Sequence, residues 1–262
     1  MGIGAGVLGT LFGIGGGIIF IPILTILYDL TASEAVAISL VGIIAASTGA
    51  ASYYVKNDTT NIRLGLLMEI TTSIGAMIGA MIAVYLENWI LLCVFGFVLI
   101  YSATIMIIKP EKIISSDRGD EKLAFDYTDL KSGETKNYSV ENVNSGLLMC
   151  TAAGMMSSMT GVGGGTIKVP LMNVHMHIPM KISSATSSYM IGITAFSGAI
   201  IYFLNGDLLL DYAAGIAIGA FIGSLLGTRL LKIIDTGHMR RYFSILLIVV
   251  SVIIFLKAGG AL

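Results

Sequence analysis

The sequence predicts an all-α polytopic membrane protein made of two inverted repeats. Each repeat is a glycine-broken re-entrant helical hairpin followed by three transmembrane helices. Composition is the first ground for this: of 262 residues, 55% are hydrophobic and 12% charged, and the mean hydropathy is +0.89. A soluble domain carries roughly 25% charged residues. The second ground is a duplication. Gly13-Ile14-Gly15-Gly16-Gly17 returns 148 positions later as Gly161-Val162-Gly163-Gly164-Gly165, each copy inside a long apolar run. Pro22 matches Pro170 at that offset, Ala37 and Ser39 match Ala185 and Ser187, and Gly75 and Gly79 match Gly223 and Gly227. A constant offset over that distance marks a duplicated unit, and paired glycine breaks in membrane segments mark a binding place.

Each element follows from its run of residues. A helix needs about 20 apolar residues to cross the hydrocarbon layer. Runs of that kind occupy 34–55, 64–86, 89–108, 182–204, 212–234 and 242–258, and the stretches 2–28 and 143–176 carry the glycine breaks. No period-2 alternation points to a membrane barrel. The chain divides into an N-terminal transmembrane repeat (1–109), a polar cytoplasmic linker (110–141) and a C-terminal transmembrane repeat (142–262). In the linker, 122–130 and 134–140 flank Lys131-Ser132-Gly133, which reads as a β-hairpin or as a flexible connection. The stripe Gly215, Gly219, Gly223, Gly227, with Gly75, Gly79 and Ala83 on the corresponding helix, reads as close helix packing.

Charge sets the expected topology, because Lys and Arg collect on cytoplasmic loops. If both broken stretches return to their starting side, six spans remain. Lys56, Arg63, the basic residues of 109–136, Lys181, Arg229, Lys232, Arg240 and Arg241 then share one face. The opposite loops hold Asp29, Glu34, Glu87, Asp207 and Asp211, and only Lys257 dissents. Met1–Phe12 reaches ~18 Å as helix, enough for the midplane and too short to span. The alternative is two continuous but unwound helices, giving eight crossings.

The breaks carry the expected chemistry. Backbone that leaves a helix within a bilayer survives only where it is buried in protein or faces water. The second arms begin near Ile18 and Thr166, and their first N–H groups turn a partial positive charge toward the midplane, as suits an anion. The candidate substrate-binding set is therefore Gly15, Gly16, Gly17, Ile18, Phe20 and Ser39 from the first repeat. The second contributes Gly163, Gly164, Gly165, Thr166, Lys168, Asn173, Thr186 and Ser187. Lys168 corresponds to Phe20 and lies ~4.5 Å along its helix. It reads as a fixed positive charge facing an apolar contact, with snorkelling to the interface as the alternative. Thr25 and Ser188 are further candidates. Glu69, six residues from Arg63, reads as interfacial, with carriage of a coupling proton as the lesser reading; His175 and His177 read as solvated surface.

Several classes are excluded. With a net charge of −1 there is no basic surface for nucleic acid. Cys93 and Cys150 lie in apolar runs and read as small core residues. Gly4-Ala5-Gly6-Val7-Leu8-Gly9 fits a nucleotide-binding pattern but lacks the preceding strand. Neither a nucleophile–base pair nor metal ligands are expected in the spans, so no enzymatic role, metal or cofactor is implied.

The doubled Gly-x-Gly-Gly-Gly with its trailing Pro22 and Pro170, together with Ala37-Ile38-Ser39 and Ala185-Thr186-Ser187, resembles the sulfite exporter TauE/SafE family of membrane transporters. The resemblance covers all but 110–141. It implies a secondary transporter in the plasma membrane that moves small sulfur-containing anions, such as sulfite, sulfoacetate or other organosulfonates, with protons as a candidate coupling ion. An anion channel is the alternative. Direction of transport and oligomeric state are left open.

Overall fold

A computed structural model describes residues 1–57, 59–108, 125–128, 135–230 and 236–259. The first half contains α1 (Gly2–Phe12), α2 (Gly17–Leu27), α3 (Ala32–Lys56), α4 (Ile62–Ala83) and α5 (Asn88–Ile108). The second contains α6 (Val143–Thr160), α7 (Gly165–Pro170), α8 (Met180–Asn205), α9 (Leu210–Leu230) and α10 (Thr236–Ala258). A π-helical turn, Leu171–His175, continues α7. Six helices, α3, α4, α5, α8, α9 and α10, are long and apolar enough to cross a membrane, and the expected spans fall on them. The protein is a multi-pass membrane protein. Its outer faces agree: Leu66, Ile70, Ile74, Met77 and Met81 run exposed along α4, and Ile218, Ile222 and Leu225 along α9.

Between the halves, β1 (Phe125–Thr128) pairs antiparallel with β2 (Thr135–Tyr138), with Phe125 opposite Tyr138 and Thr128 opposite Thr135. This is the hairpin alternative of the sequence reading. Its turn, Lys131-Ser132-Gly133, lies outside the described residues, as does Lys232.

The halves interlock by reciprocal exchange. Helix α4 packs on α6 and α9 packs on α1, so the third segment of each half holds the broken segment of the other. Gly75 and Gly79 lie against the carbonyls of Thr151 and Met155; Gly223 and Gly227 lie against those of Ile3 and Val7. These residues correspond at the 148-residue offset, the arrangement a pseudo-twofold axis produces. At these contacts a Cβ would strike backbone, so glycine is what lets the helices approach. The expected stripe is shorter than the sequence implied, because Gly215 meets nothing within 4 Å.

Each broken segment turns back on itself. In the first, Gly16 lies against the Ala5 carbonyl and Gly9 against Gly15 and Gly16. In the second, the two ends touch: Asn142 Nδ2 donates to the His175 carbonyl at 3.0 Å and Glu141 N to that of Met176 at 3.4 Å. Asn61 Nδ2 meets Tyr138 Oη at the same end, 3.1 Å away. At the other end Ser33 Oγ donates to Asp207 Oδ2 at 2.9 Å and Tyr28 packs edge-on against Tyr212. The acidic loops thus share an end. Lys257, which the charge pattern left among them, sits there 3.9 Å from Asp29.

A methyl group at Gly75 would drive α4 off the Thr151 carbonyl, whereas one at Gly215 enters open space. Gly75→Ala is expected to lower stability by about 1–3 kcal/mol. Gly215→Ala should be neutral or gain up to about 1 kcal/mol through helix propensity. Thermal denaturation in detergent checks the pair.

Candidate functional site

The glycine runs make sharp left-handed breaks. Gly13 (φ 72), Gly15 (68), Gly16 (93), Gly161 (65), Gly163 (75) and Gly164 (77) all have positive φ, which glycine adopts without a Cβ penalty. Gly16 and Gly164 are the N-caps of α2 and α7, and neither first turn receives a side-chain cap. Pro22 and Pro170, inside these arms, lack the N–H that would bond the carbonyls of Ile18 and Thr166. The breaks meet each other. Gly17 abuts Gly161 and Val162, while Gly165 abuts Gly13 and Ile14.

Two serines tie the breaks across the axis. Ser39 Oγ on α3 donates to the Gly161 carbonyl and Ser187 Oγ on α8 to the Gly13 carbonyl, each at 2.7 Å. A second matched pair works within each half: Tyr54 Oη donates to the Thr10 carbonyl at 3.1 Å and Tyr202 Oη to that of Ser158 at 2.9 Å. Sequence reasoning passed over these tyrosines, although their 148-residue spacing was a usable signal.

Ile43 and Ile191, corresponding residues of α3 and α8, fill the space beside Gly15 and Gly163. The expected midplane cavity lined by Ser39 and Ser187 is therefore closed here: hydrocarbon occupies it and the hydroxyls are engaged with backbone. Ile18 and Thr166 are buried at the two helix starts. A cavity of about 90 Å³ lies to one side, between Tyr101, Ser102, Ile105, Met149, Ile167 and His175.

Of the other candidates, Phe20 lies against Gly16 and the polar ones are engaged away from this crossing. Thr186 Oγ1 accepts from Asn61 N at 3.0 Å, Asn173 Nδ2 donates to the Ile178 carbonyl at 3.0 Å, and Thr25 Oγ1 bonds its own helix. Ser188 is buried, and its carbonyl accepts from Ser47 Oγ. Phe20 packs in an apolar cluster with Ala5, Leu24, Ala35, Ile38 and Ala46.

Lys168 overturns the snorkelling alternative of the sequence reading. It neither snorkels nor stands as an unpaired charge: it is 0% exposed, with Nζ 2.6 Å from Thr194 Oγ1 and 3.2 Å from Glu69 Oε2. Glu69 is not interfacial either. It is 4% exposed, and its Oε1 accepts from Thr194 at 2.7 Å and from Ser73 at 2.9 Å. Glu69 lies 99 residues from Lys168, and no local pattern joins them. Burial removed both side chains from water, and mutual neutralisation makes that tolerable. His175, expected at a solvated surface, reaches Ser145 Oγ at 2.8 Å, and His177 Nδ1 lies 3.5 Å from Glu141.

Breaking the ion pair from one side strands a buried charge. Lys168→Ala is expected to destabilise by about 3–5 kcal/mol, and Lys168→Met combined with Glu69→Gln to recover most of that. A double-mutant cycle from denaturation in detergent measures both. Ser39→Ala or Ser187→Ala leaves a buried carbonyl without its donor and should cost about 1–3 kcal/mol in the same assay.

A family model, sulfite exporter TauE/SafE, matches residues 1–254. Relatives of similar length accompany it. The probable membrane transporter protein YunE of Bacillus subtilis is 28% identical, over 96% of this chain and 93% of its own. A probable membrane transporter protein of Haemophilus influenzae is 26% identical, over 97% and 95% of the two chains. Another, of Methanocaldococcus jannaschii, is 26% identical, over 96% and 91%. No solved structure matches the chain. A doubled glycine break crossing at a pseudo-twofold axis, on a six-span frame that this family model covers almost end to end, shows that the chain belongs to the sulfite exporter TauE/SafE family of membrane transporters.

Proposed function

We propose that this protein is a secondary transporter that carries small sulfur-containing anions, such as sulfite, sulfoacetate or other organosulfonates, across the plasma membrane by alternating access. The two halves are read as inverted repeats, with α1–α2 and α6–α7 as re-entrant hairpins entering from opposite faces. The observation that carries the reading is the crossing of the two breaks beside a buried lysine. Unwound backbone deep in a bilayer is tolerated where it serves a ligand path, and inverted repeats place such paths at their interface. Helix starts without side-chain caps supply positive potential there, and the Lys168 ammonium, now paired with Glu69, adds to it when that pairing is released.

Substrate entry requires Ile43 and Ile191 to part, so the form described is the closed one of the cycle. Rocking of one hairpin with the helix that clasps it, α1–α2 with α9 or α6–α7 with α4, would open the crossing to one face at a time. The family's description as a sulfite exporter supports this class of substrate. A channel would favour a continuous polar stripe, and the isoleucine contact at the crossing speaks against one.

Uptake of labelled sulfite and sulfoacetate into proteoliposomes tests this. Wild-type protein is expected to exceed empty vesicles. The neutral-core double variant Lys168→Met/Glu69→Gln should fall by about tenfold or more, the effect of losing one charged contact. Unchanged flux in that variant would remove Lys168 from the site. For the hairpins, cysteines at Glu141 and His177 should both label from one face and a cysteine at Tyr28 from the other; labelling of the first two from opposite faces would restore the eight-span arrangement.

A further inference from the structure

We infer that Glu69 is the proton-binding gate of the anion site: ionised, it occupies Lys168; protonated, it releases Lys168 to a monovalent anion, so one proton and one anion cross together without net charge. The inference rests on the anion-transport reading above and adds the coupling ion, the residue that carries it and the charge class of the substrate.

The geometry is that of a competitor held in place. Lys168 Nζ has two acceptors, Glu69 Oε2 at 3.2 Å and Thr194 Oγ1 at 2.6 Å, while Thr194 donates onward to Glu69 Oε1 at 2.7 Å. Ser73 Oγ also donates to Oε1. An incoming anion can present to Lys168 what Glu69 presents now, a negatively charged oxygen. Both cannot be held ionised on one ammonium in so dry a place, since the second negative charge would be uncompensated. A proton on Glu69 resolves the conflict. The empty site holds Lys⁺ with Glu⁻, and the loaded site holds Lys⁺, the anion and neutral GluH. The two states carry equal charge, so the halves can rock in either without taking a net charge through the bilayer.

The fold itself does not need this set. The counterparts of Lys168, Glu69 and Thr194 are Phe20, Ala217 and Ala46. Around Phe20 the first half has the same break, held by the matching serine bond and helix clasp, with apolar residues in place of the ionic set. A buried ion pair that an equivalent site replaces with a phenylalanine and two alanines is not there for packing, because well-packed apolar groups are commonly as stabilising.

The neighbouring ionisable groups leave Glu69 as the acid placed for the role. On α4 the other charged side chain near it is Arg63, six residues toward the helix start. Helix α6 contributes Cys150, a thiol beside Thr72 within electrostatic reach of both Lys168 and Glu69. Helix α8 contributes Tyr189 and, at its start, Lys181; α5 contributes the largely exposed Tyr101. His175, after α7, is turned to Ser145.

The test uses methanesulfonate, a strong-acid anion that holds no proton near neutral pH, so any proton bound with it resides on the protein. Purified wild-type protein in lightly buffered detergent should take up about one proton per methanesulfonate bound, and its affinity should then weaken about tenfold per unit rise in pH. Glu69→Gln should abolish the proton uptake and flatten that dependence, and Glu69→Asp should restore both. In vesicles, an inward proton gradient should drive accumulation that an imposed membrane potential leaves unchanged. Wild-type binding and flux without proton uptake, or accumulation driven by potential alone, overturns the gate and leaves the transport reading standing. Absence of both binding and flux for methanesulfonate, sulfite and sulfoacetate overturns both. The wild-type measurement decides the matter even if the Gln variant fails to fold.

Discussion

Backbone polar groups released inside a membrane protein must find partners within it, and this constraint organises the molecule. A lipid environment offers nothing to a carbonyl that has left its helix. Each break spends that demand on the other half: Gly161 is met by Ser39 and Gly13 by Ser187, from helices on opposite sides of the axis. Neither half can complete its own break, so duplication and interlocking are one requirement.

Close packing follows from the same demand. Transmembrane helices gain little from burying apolar surface away from equally apolar lipid, so contact depends on how near the backbones come. Glycines at Gly75, Gly79, Gly223 and Gly227 bring α4 onto α6 and α9 onto α1 at carbonyl distance. The broken segments, short of regular hydrogen bonds at their tips, are thereby clamped along their first arms. The ends of those first arms are held as well by Tyr54 on Thr10 and Tyr202 on Ser158, and the breaks themselves by the two serines.

Against this symmetric frame the ionic set stands out as a part that is not duplicated. Phe20 and Lys168 hold corresponding places and have opposite surroundings, alanines for one and a carboxylate with a hydroxyl for the other. Symmetric backbone thus carries asymmetric chemistry, with this charged centre on one side of the frame.

Much of the fold was legible because the bilayer imposes local rules. Span lengths, the glycine breaks, the division of charged loops between the two ends and the linker hairpin can all be read from windows of a few residues or from the repeat offset. Gly15, Gly163, Ser39 and Ser187 were legible as matched positions because their spacing repeats. Glu69 was not, because its meaning depends on a lysine 99 residues away and its distance in sequence from Arg63 suggested an interface. Thr186 and Asn173 looked like cavity residues for want of any sign that Asn61 N and the Ile178 carbonyl already engage them.

By itself, then, the sequence determined that the chain lives in a membrane, is built twice, and breaks its backbone at two matched places, since hydropathy and repetition are properties of the chain read in order. Tertiary structure alone decided that the breaks touch, that Ile43 and Ile191 close the space beside them, and that Lys168 is neutralised by Glu69. Those are outcomes of packing between distant segments. The physical reason is that a charge or a carbonyl in a dry core takes whichever partner the folded chain brings within reach, and order along the chain does not record that choice.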